Sequence, residues 1–164
     1  GAGRMPKSKL QFQVPGAFTR LPGMSENVFR CNYRVSYAEC TVGNHIYYSR
    51  YLDLLERARG EFFRKLGKTL LQWQDEDTIF PVLECRLKYH APARYDDLLT
   101  LEVRVNAAKG VRLNFGHRIL GPASRLLVEA ETFHACASLK EKPKRLPEDL
   151  LSLLRPYLDE AIKG

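Results

Sequence analysis

The spacing of apolar and polar residues divides the chain into segments with two different periods. From Phe29 to Tyr37 apolar and polar positions alternate, which predicts a strand with one buried face. From Ser49 to Leu66 apolar residues recur at steps of three and four, which predicts an amphipathic helix of about five turns. Gly67 follows as a typical helix-ending residue. The patterned part of the chain therefore begins with a strand and one long helix.

Four more strand patterns follow the long helix, after a stretch around Trp73 that indicates a loop or a short second helix. Short turns separate these runs, so we expect antiparallel neighbours. The last run is apolar on both faces, which places it centrally in a sheet or at an interface. Pro147 then opens an amphipathic tail helix. The four strand patterns cover residues 83–91, 99–106, 111–119 and 126–139.

This order of elements predicts an α+β fold in which one curved antiparallel sheet wraps a single long helix. The chain has 164 residues, 45% of them hydrophobic, which suits one domain with a sizeable core. Residues 1–28 contain several Gly and Pro and no sustained period, so we expect a flexible N-terminal lead. Residues 29–164 are then one domain.

Composition narrows the classes of function. The formal net charge of +7 permits nucleic acid, but it equally suits a ligand that carries phosphates. The basic residues are dispersed among acidic ones, so a nucleic-acid partner ranks low. No apolar run is long enough to span a membrane. The four cysteines are scattered without a C-x-x-C pair, which argues against zinc and indicates a reducing, cytoplasmic compartment.

A polar loop, Glu39–Tyr48, lies between the first strand and the long helix. The first backbone N–H groups of a helix have no partner within it and carry partial positive charge. Polar side chains aimed at such a terminus can bind an anion or stabilise an oxyanion. The simpler interpretation is that the loop only caps the helix. Both interpretations make this loop the first place to look for chemistry.

The loop and the helix after it resemble the hotdog-fold acyl-CoA thioesterases of the 4-hydroxybenzoyl-CoA and YbgC-like group. The resemblance covers roughly residues 29–158, and it includes a turn at 89–97 and a closing segment at 145–147. It implies a hotdog fold and hydrolysis of acyl-CoA or acyl-carrier thioesters to free acid and thiol. The residues that match the family pattern best are His45, Tyr51, Leu52, Glu56 and Arg59.

One position departs from the family pattern. The catalytic aspartate of the family would stand at Thr41, and a hydroxyl is neither a strong base nor a ready nucleophile without activation. The order Gly43-Asn44 is also exchanged relative to the common Asn-Gly. Some hotdog thioesterases that act on carrier-bound polyketide chains likewise lack the acid, and their loops read Val-Gly-Asn. The alternative is an acyl-CoA- or acyl-carrier-binding protein that has lost catalysis.

Three ways of activating water remain open. Glu39, two residues before Thr41, could act as general base, or it could be a solvated acid at a strand end. Glu56, two turns into the helix, could reach the cleft of a partner subunit, or it could pair with Arg59. Thr41 and Asn44 together could orient a water molecule.

The same loop also offers donors for the oxyanion. We expect them among the backbone N–H groups from Asn44 to Tyr47. His45 could donate to the substrate carbonyl or orient the loop, although a role in capping or packing is equally open.

Substrate binding is expected from a separate set of residues. Coenzyme A or phosphopantetheine would arrive as part of the substrate, so no further cofactor is expected. His90, His117 and His134 have no metal-ligand spacing, so we expect no metal and interpret them as structural or surface residues. An edge strand without a partner and a helix start that needs a second surface predict a homodimer or homotetramer. The expected substrate-binding residues are Tyr48, Tyr51, Arg59, Lys109 and Arg112.

Overall fold

The computed structural model describes residues 27–158. The predicted lead, residues 1–28, therefore lies almost wholly outside the described residues, as do residues 159–164. The described part contains one long helix, two short helices and seven strands. In chain order these are β1 Phe29–Arg34, β2 Cys40–Thr41, β3 His45–Ile46, α1 Arg50–Leu66, α2 Leu70–Asp75, β4 Val82–Tyr89, β5 Leu98–Lys109, β6 Arg112–Leu120, β7 Leu126–Ala135 and α3 Glu148–Leu154.

Five strands form one antiparallel sheet in the order β1-β5-β6-β7-β4, and β2 with β3 forms a separate small hairpin. β7 lies between β6 and β4, which confirms the central position predicted from its two apolar faces. Its regular pairing ends at Ala135, so the predicted run to residue 139 was too long. β1 and β4 are the two edges of this sheet. Cys85, which lies inside the strand pattern predicted at 83–91, is exposed on this edge strand.

The long helix packs one apolar face against the sheet, which confirms the predicted α+β arrangement. Phe62 is fully buried, and its ring contacts Phe29 of β1 at 5.4 Å and Phe115 of β6 at 6.2 Å between centroids. The helix ends at Gly67, whose φ of 102° only glycine adopts without strain. The other buried residues of α1 are Tyr51, Leu54, Leu55, Ala58 and Phe63.

The opposite face of the sheet carries a row of alternating charges across all five strands. The row runs Arg30, Glu102, Arg118, Glu129 and Lys88, each paired with the next across neighbouring strands. Glu102 is only 2% exposed and is bound by Arg30 Nε at 2.7 Å. Opposite charges directly across a strand pair are favourable. This face is therefore held by charge pairing, whereas the face against α1 is held by apolar contacts.

Two histidines are buried on the face that packs against α1. His117 Nε2 lies 3.2 Å from the Thr132 hydroxyl, and His134 Nδ1 donates to the carbonyl oxygen of Phe80 at 3.0 Å. Burial lowers the pKa of His134 from 6.5 to about 4, and burial also lowers the pKa of His117 well below its usual value. Both rings are therefore neutral in the folded protein near neutral pH.

These lowered pKa values predict a loss of stability in acid. Below pH 6.5 His134 becomes protonated in the unfolded chain, whereas in the folded protein it stays neutral down to about pH 4. The free energy of unfolding should fall across that window, by on the order of 3 kcal/mol for this residue. The free energy of unfolding, measured with urea at pH 7.5, 6 and 5, should fall less with decreasing pH for His134→Gln than for the wild type. Lys140→Gln, which removes an exposed charge, should keep the steep fall, and parallel profiles for all three proteins would contradict the assignment.

Candidate active site

The polar loop folds as a tight hairpin just before α1. β2 and β3 are joined by the turn 42–44, in which the Asn44 N–H donates to the Thr41 carbonyl at 3.1 Å. Gly43 and Asn44 both have positive φ, 84° and 60°. A Cβ at position 43 would lie 3.2 Å from Nε2 of His45, whose ring covers this glycine. Gly43 is therefore required both by its backbone conformation and by the histidine that packs on it.

A second segment, residues 93–95 before β5, holds this hairpin in place. Arg94 Nη1 donates to the Gly43 carbonyl at 3.1 Å, and the Tyr95 N–H donates to Asn44 Oδ1 at 3.3 Å. The Asn44 side-chain carbonyl is thus already bonded within the protein. Sequence reasoning did not identify Arg94 or Tyr95, and the only signal near them was the resemblance of the 89–97 turn to the family.

The start of α1 offers donors at different positions from those predicted. The Ile46 N–H donates to the Ala93 carbonyl at 3.0 Å, and the Tyr47 N–H donates to the Glu39 carbonyl at 3.3 Å. Within residues 27–158, the N–H groups of Tyr48 and Ser49 have no such partner. Ser49 is the N-cap of the helix, so these two groups point out of its positive end. The N–H groups that remain available to an anion are therefore those of Tyr48 and Ser49, just beyond the predicted residues.

Aromatic side chains surround this helix start. Tyr48 is 61% exposed, its ring lies 4.6 Å from that of Tyr47, and its carbonyl accepts from the Tyr89 hydroxyl at 2.9 Å. Tyr51 is buried, and its hydroxyl accepts from the Ala93 N–H at 3.0 Å. Of the two predicted substrate-binding tyrosines, Tyr48 is thus open to a ligand, whereas Tyr51 fixes the neighbouring segment.

The two candidate general bases line one surface cleft beside α1, together with Asp53, Arg57 and Arg64. Glu39 is held on both oxygens: one is hydrogen-bonded to the Tyr33 hydroxyl, and the other accepts from the Ser36 N–H at 3.0 Å. Its carboxylate therefore caps the short 3-10 turn Tyr37–Glu39.

Glu56 is exposed and takes part in none of the ion pairs seen among the described residues. The alternative pairing of Glu56 with Arg59 is accordingly not formed in residues 27–158. Arg59 lies a turn further along α1, and its buried Nη1 has no hydrogen bond within that range. Burial lowers the pKa of its guanidinium, and the charge of Glu56 acts in the opposite direction. Glu56 is therefore the uncommitted acid of the helix.

The remaining predicted ligand contacts lie elsewhere. Lys109 and Arg112 face each other at the turn between β5 and β6. The hairpin contacts the segment just before β5, whereas the two cations lie at the other end of β5. Within one chain the length of β5 therefore separates the cations from the hairpin, by on the order of 30 Å or more. Lys109 and Arg112 could contact a ligand at this site only from another subunit.

Neither a metal centre nor a membrane-spanning helix is present in residues 27–158. No group of three or more His, Cys, Asp or Glu side chains in this range is placed to hold an ion. No helix in the same range is long and apolar enough to cross a bilayer.

Known proteins share both the sequence pattern and the architecture described above. The chain is 33% identical over 130 residues to the acyl-CoA thioester hydrolase YbgC of Escherichia coli O6:H1, covering 79% of this chain and 97% of that protein. It is 34% identical to the acyl-CoA thioesterase YbgC of Haemophilus influenzae, covering 77% and 94% of the two chains. A crystal structure of a probable thioesterase from Bartonella henselae superposes with a TM-score of 0.70 at 29% identity, over 74% of this chain and all of that one.

The family profile covers the same region as the described fold. It matches residues 35–154, from the end of β1 to the end of α3, and so includes the hairpin, α1 and four of the five strands of the main sheet. The hotdog fold predicted from the resemblance is confirmed. The chain therefore belongs to the thioesterase-like superfamily.

Proposed function

We propose that the start of α1 is the site at which this protein hydrolyses acyl-CoA thioesters to a free carboxylic acid and coenzyme A. The activity of the YbgC relatives supports thioester hydrolysis as the reaction. The observation that carries the assignment of the site is the pair of free N–H groups at Tyr48 and Ser49. They lie at the positive end of the longest helix, beside a polar hairpin held rigid by residues 93–95.

The oxyanion is the first requirement of the reaction. When water adds to the thioester carbonyl, its oxygen becomes negative and needs donors that are already in place. The N–H groups of Tyr48 and Ser49 supply them, and the helix dipole adds to the stabilisation. Thr41 is exposed on the adjoining hairpin, where its hydroxyl can position the attacking water. His45 contributes through the loop, because its ring packs on Gly43.

The base is the second requirement. Both carboxylate oxygens of Glu39 are hydrogen-bonded, one to Tyr33 and the other to Ser36, which makes Glu39 the weaker candidate. Glu56 is exposed and forms no ion pair with another residue of 27–158, but it lies eight residues after Tyr48, about 12 Å along the helix. That distance exceeds the reach of its side chain within one chain. We therefore assign the role of general base to Glu56 of a partner subunit. Its carboxylate takes a proton from water as the C–O bond forms, and the C–S bond breaks afterwards, releasing coenzyme A.

The assembly follows from the edge of the sheet. Among residues 27–158, β4 has one neighbour, β7, so its other row of backbone N–H and C=O groups is open within this range. Large apolar side chains are exposed along it and beside it: Leu83 is 70% exposed, Tyr89 48% and Leu52 45%. A twofold dimer that pairs two β4 strands would satisfy both the backbone and these side chains. It would also bring the middle of one α1 towards the start of the other.

The proposal places no resident cofactor in the site, because coenzyme A enters and leaves as part of the substrate and product. Phosphopantetheine on a carrier protein would present the same thioester. The four cysteines are free, which supports a reducing, cytoplasmic location.

The oligomeric state tests the assembly. Light scattering at micromolar concentration should give the mass of a dimer or of a tetramer built from it. Leu83→Lys should yield monomers and lose thioesterase activity, because it places a charge in the proposed strand pairing. Leu139→Lys, which changes another exposed leucine after β7, should leave mass and activity unchanged. A monomeric wild-type protein would contradict the proposed dimer.

The oxyanion site is tested by removing one N–H group. Ser49 has φ of −72°, which proline shares, so Ser49→Pro deletes the donor without changing the φ of that residue. Thiol release from a panel of acyl-CoA thioesters should fall on the order of a hundredfold. Ser49→Ala keeps the N–H group and is the matched control. Binding of the panel without thiol release by the wild type would instead support the non-catalytic acyl-CoA-binding alternative.

The choice of base is tested by two isosteric changes. Glu56→Gln should lower kcat by about a hundred- to ten-thousandfold, which is the range for loss of a general base. Glu39→Gln should act mainly on stability, since its contacts are within its own segment. A mixed dimer of Glu56→Gln and Ser49→Pro chains should regain one intact site if the two residues come from different subunits. If activity is not regained, the general base and the oxyanion donors come from the same chain.

A further inference from the structure

The two oxyanion donors belong to consecutive peptide units, and a different part of the protein holds the carbonyl oxygen of each unit. The unit that carries the Tyr48 N–H has its carbonyl at Tyr47, which accepts from the Arg50 N–H at 2.9 Å. The unit that carries the Ser49 N–H has its carbonyl at Tyr48, which accepts from the Tyr89 hydroxyl at 2.9 Å. In the described part of the chain, no backbone N–H donates to the Tyr48 carbonyl. The second donor therefore depends on a side chain from β4.

The carbonyl matters to the N–H group because a peptide unit is rigid. Resonance keeps its atoms in one plane, and in a trans unit the C=O and N–H bonds point in opposite directions. A hydrogen bond that holds the Tyr48 oxygen therefore also fixes the direction of the Ser49 N–H. The same bond draws electron density towards the oxygen, and hydrogen bonds that are joined in this way strengthen one another.

Tyr89 is itself held in place by the fold. Its ring packs edge-on against that of Tyr51, with 5.4 Å between the centroids, and Tyr51 is only 3% exposed. Just after it, the N–H groups of His90 and Ala91 both donate to the Leu127 carbonyl, at 2.7 and 3.2 Å, which fixes the end of β4 on β7. The hydroxyl thus reaches the helix start from a fixed ring at a fixed strand end.

The Tyr89 hydroxyl keeps its proton at neutral pH and can donate it in a hydrogen bond. Burial raises the pKa of this hydroxyl above its ordinary value of 10, and the neighbouring Tyr51, Cys85 and Tyr48 act in the same direction. A tyrosine hydroxyl has one hydrogen to donate, and a carbonyl oxygen can only accept. The bond between Tyr89 and the Tyr48 carbonyl therefore uses that hydrogen.

We propose that Tyr89 is a positioning residue for the oxyanion: its hydroxyl acts through the Tyr48–Ser49 peptide unit to aim the Ser49 N–H at the thioester oxygen. The inference rests on the proposed hydrolysis at the start of α1, because it concerns one of the two donors assigned there. Tyr89 does not contact the substrate in this role. Its effect should therefore disappear when the Ser49 N–H is removed.

This role has a distinct kinetic consequence. The thioester oxygen is neutral when the substrate binds and becomes negative as water adds, so a well-aimed donor stabilises the transition state more than the bound substrate. Losing the Tyr89 hydroxyl should therefore lower kcat and leave KM nearly unchanged. Because the Ser49 N–H itself remains, the loss should be smaller than that for a deleted donor, at about three- to tenfold.

The first test compares two changes of tyrosine to phenylalanine. Tyr89→Phe removes the hydroxyl but keeps the ring that packs on Tyr51, and kcat with acyl-CoA thioesters should fall by that factor without a change in KM. Tyr157→Phe, which removes a hydroxyl from a ring packed against Phe62 of α1, is the matched control and should leave kcat unchanged. An unaltered kcat for Tyr89→Phe, or a rise in KM alone, would overturn the inference and leave the proposed hydrolysis intact.

A double-mutant cycle tests whether Tyr89 acts through Ser49. In a Ser49→Ala background the N–H group is retained, so Tyr89→Phe should lower kcat as it does in the wild type. In a Ser49→Pro background no N–H group remains to be aimed, so Tyr89→Phe should have no further effect. Equal losses in the two backgrounds would overturn the inference, since Tyr89 would then support the site by another route.

Nuclear magnetic resonance separates this inference from the activity itself. A hydrogen bond to a carbonyl oxygen deshields the nitrogen of the same peptide unit, so the Ser49 amide nitrogen signal should move upfield in Tyr89→Phe but not in Tyr157→Phe. Labelling serine with nitrogen-15 isolates this signal, and its loss in Ser49→Ala assigns it. The shift would support the coupling of Tyr89 to Ser49 even if the wild type released no thiol. An unchanged signal in Tyr89→Phe would overturn the inference whatever the activity.

Discussion

The packing of α1 against the five-stranded sheet is the constraint on which the candidate site depends. Phe62 anchors the middle of the helix among aromatic rings from β1 and β6. Tyr51 anchors its first turns, because its buried hydroxyl holds the Ala93 N–H. Since these two contacts fix α1 against the sheet and against residue 93, the free N–H groups before Arg50 occupy a defined position relative to the hairpin. A donor pair that is already in place needs no reorganisation as the negative oxygen forms.

The sequence predicts the elements of this fold better than it predicts the chemistry within them. Alternation and three-to-four spacing identified the strands and α1 because those periods reflect which face is buried. The free donors could not be located in that way. Whether Ile46 and Tyr47 keep unpaired N–H groups depends on the carbonyl groups of Ala93 and Glu39, which bind them only in the folded chain. The exposure of Cys85 likewise depends on strand order, which periodicity does not determine.

The site also shows how a thioesterase could work without an aspartate at position 41. Thr41 leaves the hairpin without a base, and Glu39 is committed to capping its own turn. A base supplied by a partner's helix would make turnover depend on assembly, so that a dissociated chain keeps its oxyanion donors but cannot deprotonate water. The same geometry would also cover the large apolar side chains exposed along β4, such as Leu83.

The strand order has a consequence for how the chain reaches this state. β5, β6 and β7 are joined by short turns, so their pairing closes only small loops, whereas β1 pairs Phe29 with Val103 and β4 pairs Val82 with His134. Loop-closure entropy rises with the length of chain enclosed, so the meander β5–β7 is the least costly part of the sheet to nucleate. The two edge strands, β1 and β4, are added at the greater entropic cost. The strand that the proposed dimer needs is thus also one of those whose pairing requires the longest search along the chain.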